Sequence, residues 1–240
     1  MENLQSDKKA KVTSMFDSIA YRYDFLNHFL SLGIDRSWRR KAIRIISEAY
    51  KNPEVLDVAA GTGDLSIAAL KLDPKHITGI DISLNMIEVG REKIFRKGLS
   101  DRIELIEADS ENIPFNDDRF DVAMVAFGVR NFADPAKGLS EMRRVVRAGG
   151  MVLVLEFSKP AKFPFKQLYS FYFLNILPLV GRLFSSNKTA YSYFPESVMQ
   201  FPDNEEFMGL MSDAGLSSVR QKKLTRGVAS IYTGLKASMQ

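Results

Sequence analysis

The sequence predicts an α/β protein built on a doubly wound, mostly parallel sheet that closes with an antiparallel hairpin. From Glu54 to Phe157, short apolar runs alternate with longer amphipathic stretches, the pattern of strands buried on both faces and separated by helices. The first of these runs leads directly into Gly61-Thr-Gly63, where a strand can turn sharply into a helix. Near the end of the chain, the apolar runs Val219 to Leu224 and Val228 to Leu235 are separated only by Thr225-Arg-Gly227. So short a connection permits only an antiparallel pair.

Taken in order, residues 12–50 read as an N-terminal helical cap. Phe16, Ile19, Ala20 and Tyr23 have helical spacing, as do Trp38, Ala42, Ile45 and Ile46, with Gly33 between the two helices. Pro53 ends this region. Strands are expected at Val55 to Ala59, Ile77 to Ile82, Ile103 to Ala108, Asp121 to Phe127 and Met151 to Phe157. The intervening helices are expected at Leu65 to Leu72, from a Ser83 cap to about Lys97 with Gly98 as its stop, and from Asp134-Pro135 to Arg147 with Gly149-Gly150 as its stop. Asp203-Asn-Glu-Glu206 has capping-box spacing and should open a last helix before the hairpin. Residues 1–240 are read as a single domain, with an aromatic insertion at 161–201.

Composition narrows the function. The 240 residues are 45% hydrophobic, enough for a substantial core, and carry a formal charge of only +4, a weak footprint for nucleic acid. Cysteine is absent, so disulfides, thiolate metal sites and cysteine nucleophiles are excluded. His28 and His76 stand alone without ligand spacing, and no metal site is expected. The polar N-terminus resembles neither a signal nor a transit peptide, so the expected location is cytoplasmic. Leu168 to Val180 is apolar but shorter than the roughly 18 residues of a span, and Asn175 and Pro178 interrupt it.

Gly61-Thr62-Gly63 alone is equally well an ordinary tight turn. Asp81 closes the second strand about twenty residues beyond Gly61, where doubly wound folds place an acid on a ribose diol. Ser66 stands at the third glycine position of the dinucleotide fingerprint, which favours a nucleoside without a pyrophosphate. Asp109-Ser110 ends the third strand with an acid that can accept a hydrogen bond from an adenine amino group.

Val55-Leu-Asp-Val-Ala-Ala-Gly-Thr-Gly63, Gly79-Ile-Asp-Ile-Ser83, Phe120-Asp-Val122 and Arg147-Ala-Gly-Gly-Met-Val-Leu-Val154 resemble the successive motifs of class I S-adenosylmethionine-dependent methyltransferases. That family has a Rossmann-like sheet with an antiparallel C-terminal hairpin. Ala59 replaces the first glycine of the usual Gly-x-Gly-x-Gly and is expected at negative φ. From about residue 10 to 236 the chain is more specifically similar to quinone-biosynthesis C-methyltransferases of the menaquinone/ubiquinone type. That similarity rests on Phe16-Asp-Ser-Ile-Ala-Tyr-Arg-Tyr-Asp-Phe-Leu-Asn27, Trp38-Arg-Arg40, Ala126-Phe-Gly-Val-Arg-Asn131 and Leu155-Glu-Phe-Ser-Lys-Pro160.

The resemblance implies S-adenosyl-L-methionine as cofactor, held by Gly61, Thr62, Gly63, Asp81, Asp109 and Ser110. It implies a lipophilic quinol as substrate, demethylmenaquinol becoming menaquinol. Arg130 would act on the quinol hydroxyl through a water, Asn131 would be a second polar contact, and Tyr23 would close over the cofactor. An arginine is a poor base, so phenolate stabilisation is the expected role for Arg130; a surface pair with Asp134 is the alternative. The aromatic insertion reads either as helices capping the core or forming a homodimer interface, or as a channel for an isoprenoid tail. In the channel reading, Lys162, Lys166, Arg182 and Lys188 would approach anionic lipid in a peripheral membrane contact. Competing functions are methylation of another small apolar acceptor, a bifunctional or ubiquinone-pathway enzyme, and a non-catalytic cofactor-binding subunit of a quinone-biosynthesis assembly.

Overall fold

The computed structural model describes residues 2–31, 33–171 and 188–238, with the side chains of 2–6, 22, 25–30, 168, 170 and 188–192 left aside. Arg182, Tyr172, Phe173 and Phe184 of the aromatic insertion, and the side chains of His28, Lys188 and Tyr191, therefore lie outside the described residues. Two helices lead, α1 (Glu2–Leu30) and α2 (Ile34–Ala49). Between them Gly33 takes a left-handed φ of 72°, which glycine adopts without strain. The first helix starts at Glu2 rather than Val12.

Seven strands form one sheet in the order β3-β2-β1-β4-β5-β7-β6. These are β1 (Glu54–Val58), β2 (His76–Asp81), β3 (Ile103–Glu107), β4 (Phe120–Ala126), β5 (Val146–Phe157), β6 (Leu216–Leu224) and β7 (Ala229–Lys236). Strands β1 to β5 pair in parallel, whereas β7 runs antiparallel between β5 and β6. The helices between strands are α3 (Asp64–Ala69), α4 (Leu84–Arg96) and α5 (Pro135–Val145), and α6 (Phe165–Phe171), α7 (Lys188–Gln200) and α8 (Glu205–Asp213) follow β5. The direction of winding reverses between β1 and β4, and ligands of such sheets bind beyond the strand ends at that point.

One apolar layer packs Trp38, Ala42 and Ile46 of α2 and Ile87 and Ile94 of α4 on one face of the sheet. The other packs Leu139 and Met142 of α5 and Phe207 and Met211 of α8 on the opposite face. This double cover explains why β1 and β4 read as nearly continuous apolar runs.

Two expected helix signals work otherwise. Gly149-Gly150 does not stop α5, because the chain is already extended from Val146. Gly149 has φ 76°, and a Cβ at Gly150 would fall 2.8 Å from the Arg147 carbonyl oxygen and 2.9 Å from that of Asp121. The pair forms an irregularity at the start of β5, where its register with β4 shifts. The capping box at Asp203 to Glu206 does not form either. Asn204 has φ 56° and caps nothing with its side chain, while the Asp203 carboxylate accepts from the Lys159 backbone N–H at 2.8 Å. Ser83 and Asp134 do cap their helices, accepting from Met86 N–H at 3.2 Å and Lys137 N–H at 3.1 Å.

Candidate active site

The turn after β1 holds three left-handed residues within five positions, Ala59 (φ 52°), Gly61 (φ 55°) and Gly63 (φ 81°). Ala59 therefore takes a left-handed conformation of the kind that favours glycine, against the negative φ expected for it. The turn is pinned from β2. One Asp81 oxygen accepts from Gly61 N–H at 2.8 Å, and the other from Ser83 N–H at 2.9 Å. Burial pushes the Asp81 carboxyl above its ordinary range, against the lowering effect of those N–H groups.

Below the turn, Asp57 is wholly buried and accepts from the Ser66 hydroxyl at 2.6 Å. Its second oxygen has no partner among the described residues, and burial pushes its carboxyl up to about 7. The residue in the third glycine position thus serves as donor to a buried acid. Asp57 was invisible to motif reading because it sits inside an apolar strand, with Ser66 nine positions away.

Beyond the turn, at the ends of β1, β2 and β4, lies a partly open cleft, the place where doubly wound sheets bind small molecules. Of the expected residues, Tyr23, Gly61, Asp81, Asp109, Ser110 and Asn131 line it; among the described residues, Thr62, Gly63 and Arg130 do not. Thr62 is buried and donates to Asp24 of α1. Lys93 of α4 ties this corner together, reaching Asp24 at 2.6 Å, Thr62 at 3.0 Å and Asp64 at 2.9 Å.

Helix α1 forms the outer wall with Lys9, Val12, Phe16 and Tyr23, residues that share a face at helical spacing. The Tyr23 ring stands 3.8 Å from where a Cβ on Gly61 would lie, edge-on to Phe16. Lys9 pairs with Asp109 at 2.7 Å and with Glu111 at 2.8 Å. Burial acts to lower the Lys9 ammonium, but its bonds to Asp109 and Glu111 outweigh that and raise it. Glu111 is itself buried and accepts from the N–H groups of Ala133 and Asp134. Neither Lys9 nor Glu111 carried a motif, and Lys9 falls in what reads as a polar terminus.

Behind the cleft, Val129–Asn131 forms one helical turn after β4. Arg130 does not pair with Asp134. Its side chain is 6% exposed and donates to Glu156 of β5, which is 0% exposed, at 2.8 Å. It also donates to the Phe127 carbonyl, and its guanidinium lies over the rings of Phe157 and Phe194 at 5.5 and 5.2 Å. Burial raises the Glu156 carboxyl, with Arg130 acting the other way. Asn131 faces the cleft and accepts from the Tyr193 hydroxyl of α7 at 3.2 Å. Glu156 belongs to the Leu155-Glu-Phe-Ser-Lys-Pro160 stretch, so its signal was present, but no local pattern pairs it with Arg130 across 26 residues.

Solved structures with this fold include an S-adenosylmethionine-dependent methyltransferase from Aquifex aeolicus (TM-score 0.61, 18% identity, covering 82% of this chain and 89% of that one). Another from Thermotoga maritima gives a TM-score of 0.66 at 19% identity, over 94% and 99% of the two chains. The [4+2]-cyclase SpnF matches at TM-score 0.69 and 15% identity, over 95% and 96%, so the fold does not by itself specify the reaction. Sequence relatives are more specific. "Ubiquinone/menaquinone biosynthesis C-methyltransferase UbiE" of Geotalea daltonii is 48% identical over 96% of this chain and 98% of its own length. "Demethylmenaquinone methyltransferase" of Bacteroides fragilis is 46% identical over 95% and 94%. The profile of the ubiE/COQ5 methyltransferase family matches residues 4–236, and the chain, an S-adenosylmethionine-dependent C-methyltransferase, belongs to that family.

Proposed function

We propose that this chain methylates a ring carbon of a polyprenylated quinol, with demethylmenaquinol as the acceptor and menaquinol as the product. The observation that carries the reading is a single cleft with the glycine turn and Asp81 at one side and Asn131, backed by the Arg130–Glu156 pair, at the other. The names of the relatives from Geotalea daltonii and Bacteroides fragilis support the acceptor class.

The cleft suits S-adenosylmethionine. Gly61 presents bare backbone to it, and the Asp81 carboxylate has acceptor capacity beyond the backbone N–H groups that pin the turn. Gly61 and Asp81 would hold the nucleoside, with Asp109 and Ser110 towards the base and Tyr23 closing from α1. When bound, the cofactor supplies an activated methyl whose leaving group departs neutral. The remaining work falls to the protein: excluding water, aligning the ring carbon and stabilising the oxygen that makes it nucleophilic. Asn131 is the polar group facing the cleft. Arg130 acts one layer behind it, through a bridging water, as a donor that stabilises the phenolate.

The test is Arg130→Ala assayed with demethylmenaquinol and labelled S-adenosylmethionine. Turnover should fall to a small residual rate, about 100-fold or more below wild type, while S-adenosylhomocysteine binding survives; near-normal turnover would sink the assignment of Arg130. The double name of the Geotalea relative favours a second reading, an enzyme that also accepts a benzoquinol. Parallel assays with the two quinols distinguish it.

A peripheral membrane contact fits a lipophilic substrate. Phe163 and Phe171 are 80% and 59% exposed, and Lys162 and Lys166 are exposed beside them. Among the described residues no helix is long and apolar enough to cross a membrane. The face around α6 is therefore read as resting on anionic lipid.

A further inference from the structure

The Arg130–Glu156 pair has a composition that phenolate stabilisation by a lone cation does not require. A guanidinium meant to lend its full charge to a substrate oxygen would be poorly served by a wholly buried carboxylate 2.8 Å away. Glu156 makes more contacts than an incidental neighbour. One of its oxygens accepts from both the Arg130 side chain and the Phe157 N–H at 2.9 Å. The Arg130 backbone N–H lies 3.5 Å from the other. Together with the Phe127 carbonyl and the faces of Phe157 and Phe194, the carboxylate holds the guanidinium in one place. The Nε atom of Arg130 is buried and has no partner among the described residues, which leaves that donor of the fork uncommitted. Among the described residues, Tyr169 of α6 and Tyr193 of α7 are electrostatically coupled to the pair.

We infer that Glu156 is a positioning residue for methyl transfer: it holds the Arg130 guanidinium and cancels its charge, so that the two act as one neutral donor unit behind Asn131. Without the carboxylate, Arg130 is an uncompensated buried cation, which relaxes towards solvent or another acceptor rather than keep its place. An uncancelled charge behind Asn131 would also hold the quinol oxygen more tightly as a phenolate and make the ring carbon a poorer nucleophile. The inference rests on the reading of Arg130 given above.

The experiment is a double-mutant cycle of Glu156→Gln, Arg130→Ala and the double variant, with kcat and KM for both substrates and S-adenosylhomocysteine binding. Glutamine keeps the size and a hydrogen-bond acceptor but removes the charge. Glu156→Gln should lower kcat by about tenfold or more, with cofactor binding within about twofold of wild type. The double variant should be no worse than Arg130→Ala alone, because Glu156 acts only through Arg130. Glu156→Asp, which keeps the charge, should recover part of kcat, and covers the case in which the glutamine variant folds poorly. Wild-type kcat in Glu156→Gln, or a double variant whose loss is the product of the single losses, overturns the inference. If instead Arg130→Ala itself turns over normally, the reading of Arg130 fails first, and the two failures are told apart.

Discussion

Gly128→Ala places one methyl where the two halves of the sheet meet above the cleft. The new Cβ would stand 2.6 Å from the Cβ of Ala59 and 3.0 Å from a γ-methyl of Val125, where ordinary contact begins near 3.4 Å. Val125 is wholly buried, and the Cβ of Ala59 is fixed to the backbone of the turn that carries Gly61. Relief therefore requires the turn to move. Overpacking of this kind costs about 1–3 kcal/mol, and the same displacement should weaken cofactor binding. The opposing methyl can be removed by Ala59→Gly, which also lifts about 1 kcal/mol of left-handed strain at φ 52°. Urea unfolding at 25 °C should thus find Gly128→Ala destabilised, Ala59→Gly neutral to stabilised, and the double variant near wild type. Titration with S-adenosylhomocysteine should follow the same order. If Gly128→Ala is as stable as wild type, or if Ala59→Gly fails to rescue it, the two positions are not in contact as described and the reasoning is refuted.

Two further outcomes follow from other parts of the molecule. Because burial raises the Asp57 carboxyl from 3.8 to about 7, its contribution to stability is full below pH 4 and lost as pH rises through about 7; ionising it costs on the order of 4 kcal/mol at most. Asp57→Asn should therefore compare least favourably with wild type at about pH 4 or below and gain on it progressively as pH rises to about 7, with no further gain above that, and a Tm difference that does not change with pH would contradict the buried, half-satisfied acid. At the face around α6, the protein should float with anionic vesicles at low salt and detach as salt rises. Lys162→Glu/Lys166→Glu should weaken that binding, whereas no flotation at any salt concentration counts against a membrane contact.

The order of strands and helices was legible because it depends on local, repeating features. Strands buried on both faces must be largely apolar, helices must alternate at their own period, and a four-residue link between β6 and β7 leaves only one geometry. Gly61 and Asp81 could be named for the same reason: a tight turn and the next strand end have fixed places in a doubly wound sheet. Resemblance then supplied Arg130, Asn131 and Tyr23 as residues to look for. Boundaries governed by backbone conformation were read less well. The Gly149-Gly150 pair looks alike in sequence as a helix stop or a strand irregularity, and Ala59 gave no sign of its positive φ, which the surrounding turn imposes. What only the tertiary structure decided were the pairings between distant charges. Arg130 turned from Asp134 to Glu156, Lys9 came to Asp109 and Glu111, and Asp24 came to Thr62 and Lys93. A buried charge must find a partner wherever the packing places one, and that location depends on the whole fold rather than on neighbours in the chain.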